Sequence, residues 1–262
     1  MNQKELTALK NWFDDYCDSY TTASTEDQRN ITVKRDHTHE VCLNAAQIAK
    51  DLHLDPHQTL LAEAIALFHD VGRFPQYRQF KTFDDSISVN HAALGAKVLL
   101  ENNVLRDLHQ HDQDIIIRAV TLHNVFFLPE GLDKETLLFS RLIRDADKLD
   151  ILRVVIEYFQ QEPGNRADAV ALGLPDQPGY SEEVLSCVYK KKMAMKSMLT
   201  TQNDFKLLQL TWLYDLNFDG SLRIVSMRNY IPAIAAMLPR NEDISRAVND
   251  VSGYVDRRLQ AG

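Results

Sequence analysis

At 262 residues the chain can form one large domain or two small ones, with enough interior for a substantial core. Its 45% hydrophobic and 25% charged residues are ordinary for a globular protein, and 9 Gly and 8 Pro are few for a turn-rich fold, which favours long helices. The formal net charge of -8, with basic residues scattered along the chain, argues against polymeric nucleic acid as a partner but leaves room for a small phosphorylated substrate, which needs only a few local cations.

The run Lys190, Lys191, Lys192 reads as a solvated helix face. The cysteines, Cys17, Cys42 and Cys187, show no CxxC pairing; such a sparse set suits a reducing compartment, and Cys42, in an apolar helical stretch, reads as a small core residue. The N-terminus lacks a basic region followed by an apolar run, and no long apolar stretch is present. The expectation is a cytoplasmic protein with no membrane association.

Helical periodicity dominates from the start. Residues 3–20 carry Leu6, Leu9, Trp12, Phe13 and Tyr16 on one stripe, and a polar break over Thr21 to Glu26 follows. The next helix is expected over about 34–53, with Val41, Ala45, Ile48 and Leu52 on one face. His57 to Val71 is apolar nearly all round, the mark of a helix at the centre of a bundle. Phe74 to Ser86, interrupted by Pro75, reads as a loop. Helices are expected at about 87–103, 112–124 and 134–160, and Pro and Gly concentrate in 161–180, an irregular excursion or lid. Further helices are expected over 181–200, 203–216, 221–239 and 241–260. With no clean linker, the expectation is a single all-α multi-helix bundle over 1–262, its motif core at about 30–155 and the helices of 181–260 closing the bundle.

Ionisable side chains aimed into this apolar framework carry the chemistry. His69 and Asp70 end the run LLAEAIALF, where burial is costly unless such groups are paired or bind metal. His37 shares the stripe of Val41, Ala45, Ile48 and Leu52, whereas His39 points elsewhere. Asp147 shares a stripe with Ile143, Ile151, Val154 and Tyr158, while Asp145 faces another side. No lysine or arginine lies on that stripe, so Asp147 needs a cation from elsewhere. Two His and two Asp from three helices make a mixed nitrogen–oxygen site suited to Mn, Fe, Co, Ni or Zn. His91, ahead of Gly95 and Val98, and His123, after Ile116, Ala119 and Val120, also sit on apolar faces, either as core histidines or near the metal. His53, His57, His109 and His111 sit in polar surroundings and read as surface residues.

The order His37, His69-Asp70, Asp147 resembles the HD-domain superfamily of phosphohydrolases. KRDHTHEV is similar to the start of that family's first motif helix, ALFHDVGRF to its central helix, and DADKLD to its last ligand motif, in which the matching ligand is Asp147. The resemblance covers roughly residues 30–155 and implies a helical bundle, a bound divalent metal held by His37, His69, Asp70 and Asp147, and hydrolysis of phosphate esters. His91 and His123 look like the extra ligands of binuclear members, where the Asp of the HD pair bridges two metals; these include the HD-GYP cyclic-dinucleotide phosphodiesterases and a group of di-iron oxygenases. The segment NVFFLPEGL after His123 lacks the GYP signature, which argues against cyclic dinucleotides, and Arg73 stands where stringent-response-type members carry an acidic residue.

The expected chemistry is attack on a phosphate ester by metal-activated water. Asp70 orients or deprotonates the water, Arg73 neutralises phosphate charge, and Lys148 does so from the other side. The plainer readings are a helix-end cation for Arg73 and a surface ion pair for Lys148. A di-iron oxygenase using the same six ligands and a non-catalytic, metal-stabilised binding module are the alternatives.

Overall fold

In the computed structural model, which describes residues 1–162 and 170–261, the chain is helical and has no strand among the described residues. Local signals account for most helix starts. Helix α1 (Gln3–Asp18) is capped by Asn2, whose side chain accepts from the Lys4 and Glu5 amides while Glu5 reaches back to the Asn2 N–H. Helix α2 (Thr25–Asp51) starts under Ser24, well before the expected residue 34. The Ser24 cap and the acidic Glu26 and Asp27 begin it, a signal that apolar periodicity alone does not register. Asp55 caps α3 (Pro56–Phe68), and its Pro56 takes the first position, where no N–H is needed.

The expected loop over 74–86 is corrected in its first half, because Arg73–Phe80 forms a helix, α4. Pro75 lies in the first turn, where amide N–H groups have no intrahelical acceptor, so it does not break the helix. A 3-10 turn at Asp85–Ile87 follows, and α5 (His91–Glu101), α6 (Gln110–Leu122) and α7 (Lys134–Gln160) complete the elements that bear on the site. Of the expected excursion at 161–180, residues 163–169 lie outside the described residues, and the remainder is irregular.

The chain divides into two compact units, Met1–Asp150 and Ile151–Gly262, with the boundary inside α7. In the first unit α2 and α3 pack together, α1 and α6 lie against α3, α6 packs on α5, and α4 touches α2 and α5. Phe13, Phe68 and Phe74 are fully buried there, each worth about 1.5–3 kcal/mol of transfer free energy. Val41, Ala45 and Ile48 are buried as their stripe requires, and Cys42 is a core residue whose thiol burial pushes up to about 12.

In the second unit, α8 (Glu182–Tyr189) is shorter than the expected 181–200. Lys191 takes a left-handed conformation and the Lys192 N–H reaches back to Cys187 O, which closes the helix end. The expected helix over 221–239 is likewise two, α10 (Asp219–Met227) and α11 (Tyr230–Ala235), separated at left-handed Asn229. Helices α9 (Gln202–Trp212) and α12 (Glu242–Ala261) pack against α8. No helix is long and apolar enough to cross a membrane.

One backbone approach fixes the site. A Cβ on Gly72 would lie 2.2 Å from His91 O and 2.6 Å from the Gly95 amide nitrogen, so the turn after His69-Asp70 rests directly on the first turns of α5. Both neighbours are backbone atoms and cannot rotate away. Gly72→Ala is therefore expected to cost at least about 1–3 kcal/mol, the usual range for overpacking, read as a lower denaturation midpoint. The substitution also separates Asp70 from His91, so divalent-metal content should fall with stability; a variant with unchanged midpoint and metal content would contradict this packing.

Candidate metal centre

Helix α2 brings His37, the end of α3 brings His69 and then Asp70, and α7 brings Asp147. His37 Nε2 lies 3.1 Å from Asp147 Oδ1, 3.3 Å from His69 Nε2 and 3.6 Å from Asp70 Oδ2. His69 Nε2 is 3.6 Å from Asp70 Oδ2 and 3.7 Å from Asp147 Oδ1. The other Asp70 oxygen faces a second group: Oδ1 is 3.2 Å from His91 Nε2 and 3.7 Å from His123 Nε2, and those two nitrogens are 2.9 Å apart. All six residues expected from sequence thus converge, and Asp70 turns one oxygen to each group. His39 is half exposed against Phe13, as its stripe implies.

The outer nitrogens decide the tautomers. His69 Nδ1 is 2.7 Å from Ala66 O and His123 Nδ1 is 2.7 Å from Val120 O. A carbonyl only accepts, so both Nδ1 atoms carry hydrogen and both Nε2 atoms present lone pairs inward. His37 Nδ1 donates to Asp150 Oδ2 at 2.7 Å, and His91 Nδ1 to Asp85 Oδ2 at 2.6 Å. Each half of the site therefore has one imidazole held by a carboxylate and one held by a backbone carbonyl, the usual support for metal-binding histidine.

Paired lone pairs 2.9 and 3.3 Å apart repel unless a cation or proton lies between them. Ligands about 2.1 Å from a common metal are about 3.0–3.4 Å apart between octahedral and tetrahedral angles, so the donor spacing fits a divalent ion in each half. The groups His37, His69, Asp70 and Asp70, His91, His123 each keep their donor atoms within 4.8 Å of one another. Asp147 extends the first set through both of its histidines.

Charge around the cluster is organised for the same purpose. Burial opposes ionisation of Asp70, but Lys34, His69, Arg73 and His123 hold its carboxyl well below the usual range. Burial likewise opposes charge on Asp147, and His37 and His69 outweigh it. At His37, burial and Lys34 disfavour the imidazolium, yet Asp147 and Asp150 lift it to about 9. His91 goes the other way, lowered chiefly by burial and then by Arg73 despite Asp70 and Asp85.

The folded value of His37, about 9, exceeds the ordinary 6.5, so in the metal-free chain its contribution to stability is complete below 6.5 and is lost as pH rises through 9. A metal must displace that proton. Affinity of the metal-free chain should therefore rise with pH up to about 9, and binding near neutral pH should release about one proton per chain from this residue. Calorimetry in buffers of different ionisation enthalpy measures the release; a pH-independent affinity with no proton released contradicts the assignment.

Three contributors are absent from the sequence expectations. Lys34 Nζ sits 2.7 Å from Asp70 Oδ2, and Asp150 and Asp85 anchor His37 and His91. Lys34 lies one turn before His37 and Asp150 nearly one turn after Asp147, so helical spacing carried the signal for both. Asp85 lies in the 3-10 turn, where no periodicity points to it.

Arg73 reaches the cluster with Nε 3.4 Å from Asp70 Oδ1, but its Nη1 donates to Phe83 O, Gln76 Oε1 and Asp85 Oδ1 at 2.6, 2.9 and 2.8 Å. It braces the 81–90 segment as well as facing Asp70. Lys148, beside Asp147, is buried.

A family model for the HD domain matches residues 35–152, a span that includes all six converging residues. No curated protein and no solved structure matches the chain.

Proposed function

Since residues 35–152 are an HD domain, we propose that the chain is a metal-dependent phosphohydrolase acting on a small phosphate ester, a nucleotide or another phosphomonoester or diester. The observation that carries this reading is the double donor set sharing Asp70, with inward lone pairs on four histidines and the Lys34 ammonium beside it. The metals would be held by His37, His69, Asp70 and Asp147 on one side and by Asp70, His91 and His123 on the other. When bound, such ions polarise a phosphoryl oxygen and make water acidic enough to supply hydroxide near neutral pH.

The protein's own groups complete the reaction. Asp147, whose side chain is 17% exposed against 4% for Asp70, is the more accessible of the two carboxylates that would hold metal and is placed to orient an entering water. Lys34 faces the same edge from α2, over the Phe83 ring at 5.3 Å, and supplies positive charge for a phosphoryl oxygen. Arg73 and Lys148 are the further candidate phosphate cations. Asp150 and Asp85, with the Ala66 and Val120 carbonyls, keep the imidazoles from turning away.

Purified chain loaded with Mn, Fe, Co, Ni or Zn and presented with a panel of phosphate esters tests the proposal. Turnover dependent on metal and abolished by chelation is expected. A metal-replete chain that hydrolyses no phosphate ester overturns it. The shared Asp70 also suits a di-iron oxygenase, and consumption of oxygen by the iron-loaded chain, without phosphate release, would favour that second reading.

A further inference from the structure

The two halves of the metal centre are supported unequally. His37 is anchored by Asp150, which is 0% exposed and built into α7. His91 is anchored by Asp85, which is 28% exposed and belongs to the 3-10 turn between α4 and α5. The first half offers four donors from three helices; the second offers three, one of which, Asp70, is shared.

Asp85 is also the point at which the 81–90 segment joins the site. Its Oδ2 accepts from His91 Nδ1 at 2.6 Å, from Asn124 Nδ2 at 3.1 Å and from the His91 amide at 3.4 Å. Its Oδ1 accepts from Arg73 Nη1 and Gln76 Nε2, both at 2.8 Å. Gln76, fully buried, further donates to Ser88 Oγ and Val89 O on the same segment. One carboxylate thus ties α4, the turn, α5 and the start of the loop after α6 to a single imidazole. Among the described residues Asp85 is the one carboxylate on the Nδ1 side of His91, so without it that ring would lose its anchor while His37 would keep Asp150.

We propose that Asp85 is the positioning residue of the second metal position, and that the 81–90 segment through it makes this the weaker, later-filled position of an unequal pair. The inference rests on the two-metal reading above. Occupancy of the second position then depends on a carboxylate carried by a partly exposed turn, whereas the first relies on one built into α7.

Titration of the metal-free chain with Co(II), followed by equilibrium dialysis and visible absorption, tests it without reference to activity. Wild type is expected to bind two ions per chain in distinguishable steps. Asp85→Asn, which keeps the shape but not the charge, should weaken the second step about 10–100-fold and leave the first within experimental error, the usual loss for an outer support of a metal ligand. Asp150→Asn should do the reverse, weakening the first step. Circular dichroism of both variants should match wild type, and Asp85→Ala should reproduce the Asp85→Asn result if the charge is what matters.

A wild type that binds two ions of equal affinity, or an Asp85→Asn chain in which both steps or neither are weakened, overturns the inference while leaving the metal-dependent reading intact. A wild type that binds no divalent ion overturns both. A wild type that binds one ion overturns the inference and reduces the centre to His37, His69, Asp70 and Asp147.

Discussion

Asp70→Ala is expected to empty both metal positions and to remove turnover, because this carboxylate is the only donor shared by the two groups. Losing metal assistance is worth several kcal/mol of barrier, so a fall of roughly a thousandfold or more is expected. The helical content should survive. Asp70 carries a negative charge at a buried site, and its removal leaves Lys34 without its 2.7 Å partner but opens no large cavity in the apolar core. Metal content by elemental analysis and circular dichroism separate loss of ligand from loss of fold. Retention of both metals in Asp70→Ala would mean that the donors around it are satisfied in some other way, and Asp70 would no longer be the donor common to the two groups.

The single-position variants behave differently. His123→Ala removes a donor from the second group alone, although its ring also packs edge-on against His69 with centroids 5.2 Å apart, so the first ion should remain while the second is lost. The contrast matters because a core-histidine role for His91 and His123 predicts reduced stability without any change in metal content. Their Nε2 atoms facing each other at 2.9 Å, each with its other nitrogen already donating, favour the ligand role.

Much of this centre was visible in the chain as written. His37, His91 and Asp147 sit on largely apolar helical stripes, and His69, Asp70 and His123 follow the ends of apolar helices, where a buried charge demands a partner. What periodicity could not supply was the support. Asp85 lies in a turn six residues before its histidine, brought there by Arg73 and Gln76 of a helix that Pro75 had made look like a loop. The start of α2 was hidden for a related reason: its first turns are polar and are held by the Ser24 cap instead of by a buried stripe. The helix ends at Lys191 and Asn229 depend on non-glycine residues in left-handed conformations, for which a sequence gives little warning. Lys34 was legible in principle, one turn from His37 on the same helix, but a lysine ahead of a histidine has many ordinary surface explanations until Asp70 is seen beside it.

Lys34→Ala should lower kcat/KM for the best phosphate ester by about a hundredfold, equivalent to roughly 3 kcal/mol for one charged contact in a secluded site. Its metal content should not fall. The ammonium lies 2.7 Å from a proposed ligand oxygen, where it repels an incoming cation, so its removal should leave metal affinity unchanged or raise it. That opposite movement of affinity and turnover distinguishes a phosphate contact from a structural counter-charge, which would lose stability and metal together. Lys34→Arg keeps the charge and should recover part of the rate. Arg73→Ala provides the comparison: it withdraws the Nη1 bonds that brace Phe83 and Asp85, so it should weaken the second metal position as well as slow the reaction. If Lys34→Ala hydrolyses the ester at the wild-type rate, the ammonium only balances Asp70. The phosphate cation is then to be sought in Arg73 or Lys148, and Arg73→Ala supplemented with excess metal becomes the deciding measurement: a rate that stays low with both positions filled assigns the contact to Arg73, and a rate restored by metal alone reduces Arg73 to a brace.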